Sequence, residues 1–293
     1  MKQTLALLCS SILLPLVLTA RCEDDLAKFK VDVRLVEVYA TVFDHKGHYL
    51  DSLERDNFQI LEDGTPQRIA IFERGAQNIS CAVLIDTTGS MAAALPRVKN
   101  SVVKLIDALD PGDSVGIFTF DKRLFARQDF TTDKDAAKRA VLRTRAEGAT
   151  ALFDALSETS EELSKRAGKK ALVVFTDGDD NSSILNADAA VARANKLGVP
   201  LYSVVEGEAM QSAKLKKLLE ELSQHTGGVA YQVKKLDDID TVFRSIANDL
   251  RHLYMISYKP SSTNRNGKWR KIDVQVRDLK DCRVRAKEGY FPD

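Results

Sequence analysis

The stretch "CAVLIDTTGSMAAAL", residues 81–95, decides how this chain is read. An apolar, β-branched run ends at Asp86, small oxygen-bearing residues follow, and an apolar helix-like stretch begins. Alone, "DTTGS" is what a strand running into a helix cap looks like, because Asp, Thr and Ser are favoured N-caps and Gly89 suits a turn. Two later stretches change its weight. "LVVFTDGDD" (172–180) ends another apolar strand with Asp177, and "EGATALFDAL" (147–156) places Thr150 in a loop before a helix. Asp86, Thr88, Ser90, Thr150 and Asp177 together offer two carboxylates and three hydroxyls, with no histidine or thiolate. Such hard oxygen donors suit Mg²⁺, Mn²⁺ or Ca²⁺ rather than zinc or copper.

From about residue 78 to 250, apolar strand-like runs alternate with amphipathic helices. "ISCAVLID" is followed by a helix with Leu95, Val98, Val102, Leu105, Ile106 and Leu109 on one face, then by the strand "DSVGIFTF". Helices are expected over "DKDAAKRAVLRTR", "LFDALSETSEELSKR", "NADAAVARANKLG", "AKLKKLLEELSQHT" and "DIDTVFRSIANDLRHL", and strands at "KKALVVFTDG" and "VPLYSVVEG". This alternation specifies an α/β fold: a doubly wound, mostly parallel sheet covered on both faces. Ligands of such sheets bind at the carboxyl ends of the strands, where the three oxygen-rich loops lie.

Both flanks are β-patterned. "VDVRLVEVYATVF" (31–43) alternates, with a phase change at Leu35 and Val36 that suggests a bulge or bend. "DHKGH" (44–48) is a hairpin turn whose His45 and His48 are solvated turn residues, and "FQILEDGTPQRIAIFE" reads as two short strands about an Asp63-Gly64 turn. After His252, "YMISY", "KIDVQVRD" and "CRVRAKEGYF" alternate again, with "PSSTNRNGK" as a polar hairpin loop. Each flank is too small to stand alone, so the expectation is one small β-sandwich built from both, with the α/β block inserted between them. The division is then a leader over 1–21, sandwich parts at 28–76 and 252–293, and the α/β domain at 78–250.

At these residues the sequence resembles the von Willebrand factor type A (vWA) family, whose fold is Rossmann-like. "DTTGS", "GATAL" and "FTDGDD" match, in order, the three loops of its metal-ion-dependent adhesion site, and "HTGGVAYQV" looks like its last strand. The resemblance implies that Thr88 and Ser90 hold a divalent ion, most simply Mg²⁺, through their hydroxyls. Thr150 would contact it directly or through water, while Asp86 and Asp177 act largely through bridging waters. It also implies a partner protein whose Asp or Glu carboxylate completes the ion's shell. The flanks resemble those of secreted bacterial proteins, abundant in acidobacteria, that carry this domain between β segments.

Composition agrees with a globular body, at 44% hydrophobic and 29% charged residues. The 43 basic residues nearly cancel the 42 acidic ones, which gives no electrostatic case for nucleic acid. Residues 1–21 have Lys2 before an apolar run from Leu5 to Leu18, with Thr19 and Ala20 near its end, as in a secretory leader. No later stretch is long enough to span a bilayer, so an exported protein, periplasmic or extracellular, is expected. A lipid anchor at Cys22 is disfavoured by Arg21 before it. Cys22, Cys81 and Cys282 follow neither a disulfide framework nor a zinc pattern, though one pair is permitted outside the cytosol. The expected role is a non-enzymatic adhesion or scaffolding module. A metal-assisted hydrolase on a related sheet is the rival, although the chain has no phosphate-binding glycine loop and no nucleophile elbow. A metal-independent assembly module working through a sandwich edge is the third possibility. The sequons at Asn78 and Asn181 carry little weight.

Overall fold

The computed structural model describes residues 35–292 apart from 75–77, 147, 178–179, 206–211, 234–238, 263, 265–266 and 280. The leader at 1–21, Cys22 and the phase change before Val36 therefore lie outside the described residues.

The first flank supplies β1 (Val36–Phe43), β2 (Phe58–Glu62), β3 (Thr65–Gln67) and β4 (Ile69–Glu73). The central block runs β5 (Ile79–Asp86), α1 (Leu95–Ala108), β6 (Ser114–Phe120), β7 (Leu124–Thr131), α2 (Lys134–Arg143), α3 (Leu152–Ser164) and β8 (Lys169–Thr176). It continues through α4 (Ala187–Leu197), β9 (Leu201–Val205), α5 (Ala213–Thr226), β10 (Ala230–Gln232) and α6 (Ile239–Arg251). The second flank gives β11 (Tyr254–Tyr258), β12 (Arg270–Val276), β13 (Arg283–Ala286) and β14 (Gly289–Tyr290).

Among the described residues the central strands form a six-stranded sheet in the order β10-β9-β8-β5-β6-β7. All neighbours are parallel except β7, which runs antiparallel to β6 at the edge. β5 is buried at every position, as a central parallel strand covered on both sides must be. Ile79, Cys81, Val83 and Ile85 face one layer with Val98, Val102, Leu105 and Ile106 of α1 and Phe243 and Ile246 of α6. Ala82 and Leu84 face the other, with Leu152 and Leu156 of α3 and Leu215 and Leu219 of α5. The strand order reverses at β5: the chain leads through α1 to β6 on one side and returns to place β8 on the other. A crevice therefore opens between the carboxyl ends of β5 and β8.

The flanks interleave. One four-stranded sheet has the order β13-β1-β11-β4 and another β14-β12-β2-β3, so each mixes strands from before and after the central block. Val36 pairs with Tyr258 and Ala40 with Tyr254, and Ile272 pairs with Glu62 and Val276 with Phe58. Val38, Ala40, Val42, Tyr254, Ile256 and Tyr258 meet Phe58, Ile60, Ile272 and Val274 in a shared apolar core. Tyr39 and Met255 point the opposite way into the α1–α6 layer, which buries β1 and β11 on both faces.

Two details depart from the pattern-based expectation. β7 has no counterpart among the strands expected from the pattern, because its "LFARQDFT" is half-exposed and charged, as an edge strand tolerates. The second strand expected after the Asp63-Gly64 turn is split. Thr65–Gln67 pairs with β2, whereas Ile69–Glu73 crosses to pair with β11 in the other sheet.

Lys287, between β13 and β14, is 3% exposed. Its Nζ lies 5.5 Å from the centre of the Tyr290 ring. Burial pushes its ammonium down to about 8, against the attraction of Glu37. The unfolded chain thus holds this proton up to a higher pH than the folded one, so its cost is complete below pH 8 and fades as pH rises towards 10.5. Lys287→Met is expected to gain up to about 3 kcal/mol at pH 7, a gain that shrinks steadily towards pH 10.5. Urea unfolding of both proteins across that range checks it, and a pH-independent difference would refute it.

Candidate metal centre

The crevice at the reversal of strand order gathers the three oxygen-rich loops. The first leaves β5 at Asp86, which is wholly buried. Its Oδ1 accepts from the Thr88 N–H at 2.9 Å and its Oδ2 from the Thr176 hydroxyl, at the end of β8, at 2.8 Å. The neighbouring Thr87 is anchored to β6, its N–H and hydroxyl both donating to the Phe120 carbonyl at 2.9 Å. Above Asp86, the Thr88 and Ser90 hydroxyls lie 3.1 Å apart, and the Ser90 hydroxyl donates to Asp177 Oδ1 at 2.9 Å.

The second loop closes on the other two through its backbone. The Gly89 N–H reaches the Gly148 carbonyl at 3.4 Å, and the Ala151 N–H donates to the Asp121 carbonyl at 2.8 Å. Gly148 sits at φ 92°, where a Cβ would lie 2.8 Å from that of Asp121, so only glycine fits without displacement. The Thr150 N–H donates to Asn181 Oδ1 at 3.1 Å, and its carbonyl accepts from the Asn181 and Ser182 N–H groups, both at 3.0 Å. The structure thus links Asp86, Thr88, Ser90 and Asp177 through one polar network and ties buried Thr150 in through its main chain. In the third loop Asp177 turns to Ser90, while Asp180 turns away to accept from the Phe153 N–H at the start of α3.

The capping explanation of "DTTGS" finds no support in the geometry. α1 starts only at Leu95, its N-cap Ala94 makes no side-chain cap, and Thr88 caps the short turn at 89–92 with no side-chain bond either. By contrast, Asp133, Asn186 and Ser212 do cap α2, α4 and α5 with their side chains. The hydroxyls of Thr88 and Ser90 face each other and Asp177 instead.

These side chains fit a divalent ion. Two cis oxygens of an octahedral Mg²⁺ shell stand about 2.9 Å apart, since each lies 2.0–2.1 Å from the metal, and the wider Ca²⁺ shell spreads them further. The 3.1 and 2.9 Å spacings across Thr88, Ser90 and Asp177 are hydrogen-bond distances, and they bring the oxygens close enough together for one divalent ion to reach them. Burial pushes the Asp86 carboxyl up to about 6, opposed by the bonds from Thr88 and Thr176 and reinforced by the nearby charge of Asp177. Positive charge between the two carboxylates would offset that cost. Among the described residues no three His, Cys, Asp or Glu side chains gather as a metal-binding group, so an ion here would rest on two carboxylates and three hydroxyls.

The sequence marks Asn181 only as a sequon, and nothing in it marks Thr176 or Gly148 as supports of the site. They hold ligand candidates rather than supply ligands, and no spacing rule marks such supports. Cys81 is buried, with its thiol pushed up to about 12 by burial, and is no nucleophile. Cys81 and Cys282 are both free.

A family model described as the von Willebrand factor type A domain matches residues 81–245, more than half of the chain. Among solved structures, a von Willebrand factor type A protein from Catenulispora acidiphila is similar at 14% identity, covering 87% of this chain and 73% of its own, with a TM-score of 0.53. Proximal thread matrix protein 1 from the mussel byssus is similar at 17% identity over 65% of this chain and 51% of its own, with a TM-score of 0.52. An aerotolerance-related membrane protein from Bacteroides fragilis is 19% identical over 59% of this chain and 98% of its own, with a TM-score of 0.49. No match is found among curated protein sequences. No described helix is long and apolar enough to cross a membrane.

Proposed function

Because the chain belongs to the von Willebrand factor type A domain family, we propose that it is an exported, non-enzymatic protein-binding module that grips a partner's carboxylate through a divalent ion. Asp86, Thr88, Ser90, Thr150 and Asp177 hold the ion, with Mg²⁺ the first choice for such an all-oxygen donor set and Mn²⁺ or Ca²⁺ its substitutes. The ion supplies a hard positive centre on which an Asp or Glu of the partner completes the shell. The protein's own residues do the positioning: Thr176 and the Thr88 N–H fix the Asp86 carboxylate, and the bonds between loops fix the hydroxyls before any ligand arrives. The interleaved flanks serve as one sandwich carrying the 78–250 domain.

The observation that carries this proposal is the meeting of the loops that follow β5 and β8 with the loop between α2 and α3, the Thr88 and Ser90 hydroxyls turned to each other and to Asp177 rather than spent on helix caps. The solved structures share the fold alone, so the binding role rests on the site. To test it, the full chain is passed over a resin bearing glutamate side chains. Retention is expected in Mg²⁺ or Mn²⁺ and release in EDTA. Retention indifferent to chelator would point to metal-free assembly instead.

A further inference from the structure

Next to the crevice lies a cleft of about 730 Å³ between β7, α2 and the segment that follows α2. Its walls carry Phe125 and Arg127 from β7, Arg139 and Arg143 from α2, and Arg145 beyond it, while Thr87 and Asp121 also line it. Thr87 stands between Asp86 and Thr88, and the Asp121 carbonyl accepts from the Ala151 N–H beside Thr150, so the cleft borders two of the loops that form the metal centre. In a chain whose basic and acidic residues differ by one charge overall, four arginines against one carboxylate in a single cleft is a strong local concentration.

All four guanidinium-bearing residues are exposed. Arg127 is set in place by its Nε–H bond to the Thr119 hydroxyl at 2.7 Å and by lying 4.7 Å over the Phe125 ring. Among the described residues Arg139 pairs loosely, at 3.9 Å, with exposed Asp133, a contact of a kind worth little. Lys99, which donates to the Leu142 and Thr144 carbonyls, adds a further cation behind Arg145. Its pKa is lowered by burial and then by Arg145. Guanidinium forks match carboxylates two bonds at a time, which an ammonium does not. Arg139 and Arg143 stand one helical turn apart, about 6 Å, close to the roughly 6.7 Å between alternate side chains of an extended strand.

We propose that this cleft seats an extended acidic segment of the partner protein, one carboxylate on the ion and the following ones on Arg139, Arg143, Arg145 and Arg127. The assignment rests on the metal-dependent function proposed above and adds to it the partner's sequence character: a run of Asp or Glu rather than a single acidic residue.

The test uses the full chain, fluorescein-labelled octaglutamate, and a control octapeptide with one glutamate among glutamines, followed by fluorescence anisotropy in excess Mg²⁺ or in EDTA. In wild type, octaglutamate is expected to bind more tightly than the control, and more tightly in Mg²⁺. The double variant Arg139→Gln/Arg143→Gln should weaken octaglutamate about tenfold while leaving the control peptide and the Mg²⁺-induced rise in Tm unchanged. If the double variant binds octaglutamate as wild type does while Mg²⁺ still stabilises both, the cleft is wrongly assigned and the metal centre stands. If Mg²⁺ affects neither stability nor binding, the metal centre itself fails and this proposal with it. If a sulfated oligosaccharide of equal charge binds as tightly and without regard to Mg²⁺, the cleft is a general polyanion site and the acidic-segment assignment is overturned.

Discussion

Saturating Mg²⁺ raises the stability of the wild-type chain and leaves Asp177→Ala unmoved: that is the expected result of a thermal or urea titration. An ion that binds only the folded state adds about 2.7 kcal/mol when present at a hundred times its dissociation constant, which is several degrees in Tm for a chain of this size. Asp177 is the better position to substitute. Removing its carboxylate releases Ser90, which is exposed and can turn to water. Removing Asp86 takes away a wholly buried carboxylate that accepts from both the Thr176 hydroxyl and the Thr88 N–H, so Asp86→Ala mixes loss of the ion with loss of fold. The metal-dependent part of the effect is read by comparing Asp177→Ala with wild type both with and without Mg²⁺, since any loss of fold shows in the metal-free proteins. An equal rise in both proteins would place the ion elsewhere.

The second large effect is expected in the sandwich. Glu62 of β2 and Arg270 of β12 form an ion pair at 2.8 Å with side chains 3% and 7% exposed. Tyr258 donates to the same carboxylate at 2.7 Å and Tyr290 at 3.0 Å. Arg270→Met leaves a buried carboxylate without its cation, at a cost of about 3–5 kcal/mol. The pair joins a strand before the central block to one after it, so the loss should appear in the unfolding of the whole unit. Adding Glu62→Leu removes the uncompensated charge but takes the acceptor from the Tyr258 and Tyr290 hydroxyls, so only part of the loss should return. A cost under about 1 kcal/mol for the single variant, or no recovery in the double, would show that the pair does not act as a unit.

Much of this was legible in the chain. Helical spacing alone specified the buried face of α1 at Leu95, Val98, Val102, Leu105 and Ile106, with Leu109 just past its end, and all six of these residues are buried. The alternation of Val38, Ala40 and Val42 and of Tyr254, Ile256 and Tyr258 marked the faces that meet in the sandwich core. What escaped was marginal or non-local. β7 carries an edge strand's weak pattern, and the split between β3 and β4 is decided by which partner strand lies nearby. In "TDGDD", nothing local says that Asp177 faces Ser90 while Asp180 caps α3.

The sequence by itself determined the periodicities, hence the elements, the buried faces and the ends of strands where oxygen-bearing side chains stand. These depend on neighbours within a turn or a pleat, and the chain carries them locally. Only the tertiary structure decided which of those ends meet. Strand order places β5 beside β8, and so Asp86 beside Thr176 and Ser90 beside Asp177. It also folds a strand, a helix and a loop into one cleft, gathering Arg127, Arg139, Arg143 and Arg145, whose charges are unremarkable until the sheet brings them together.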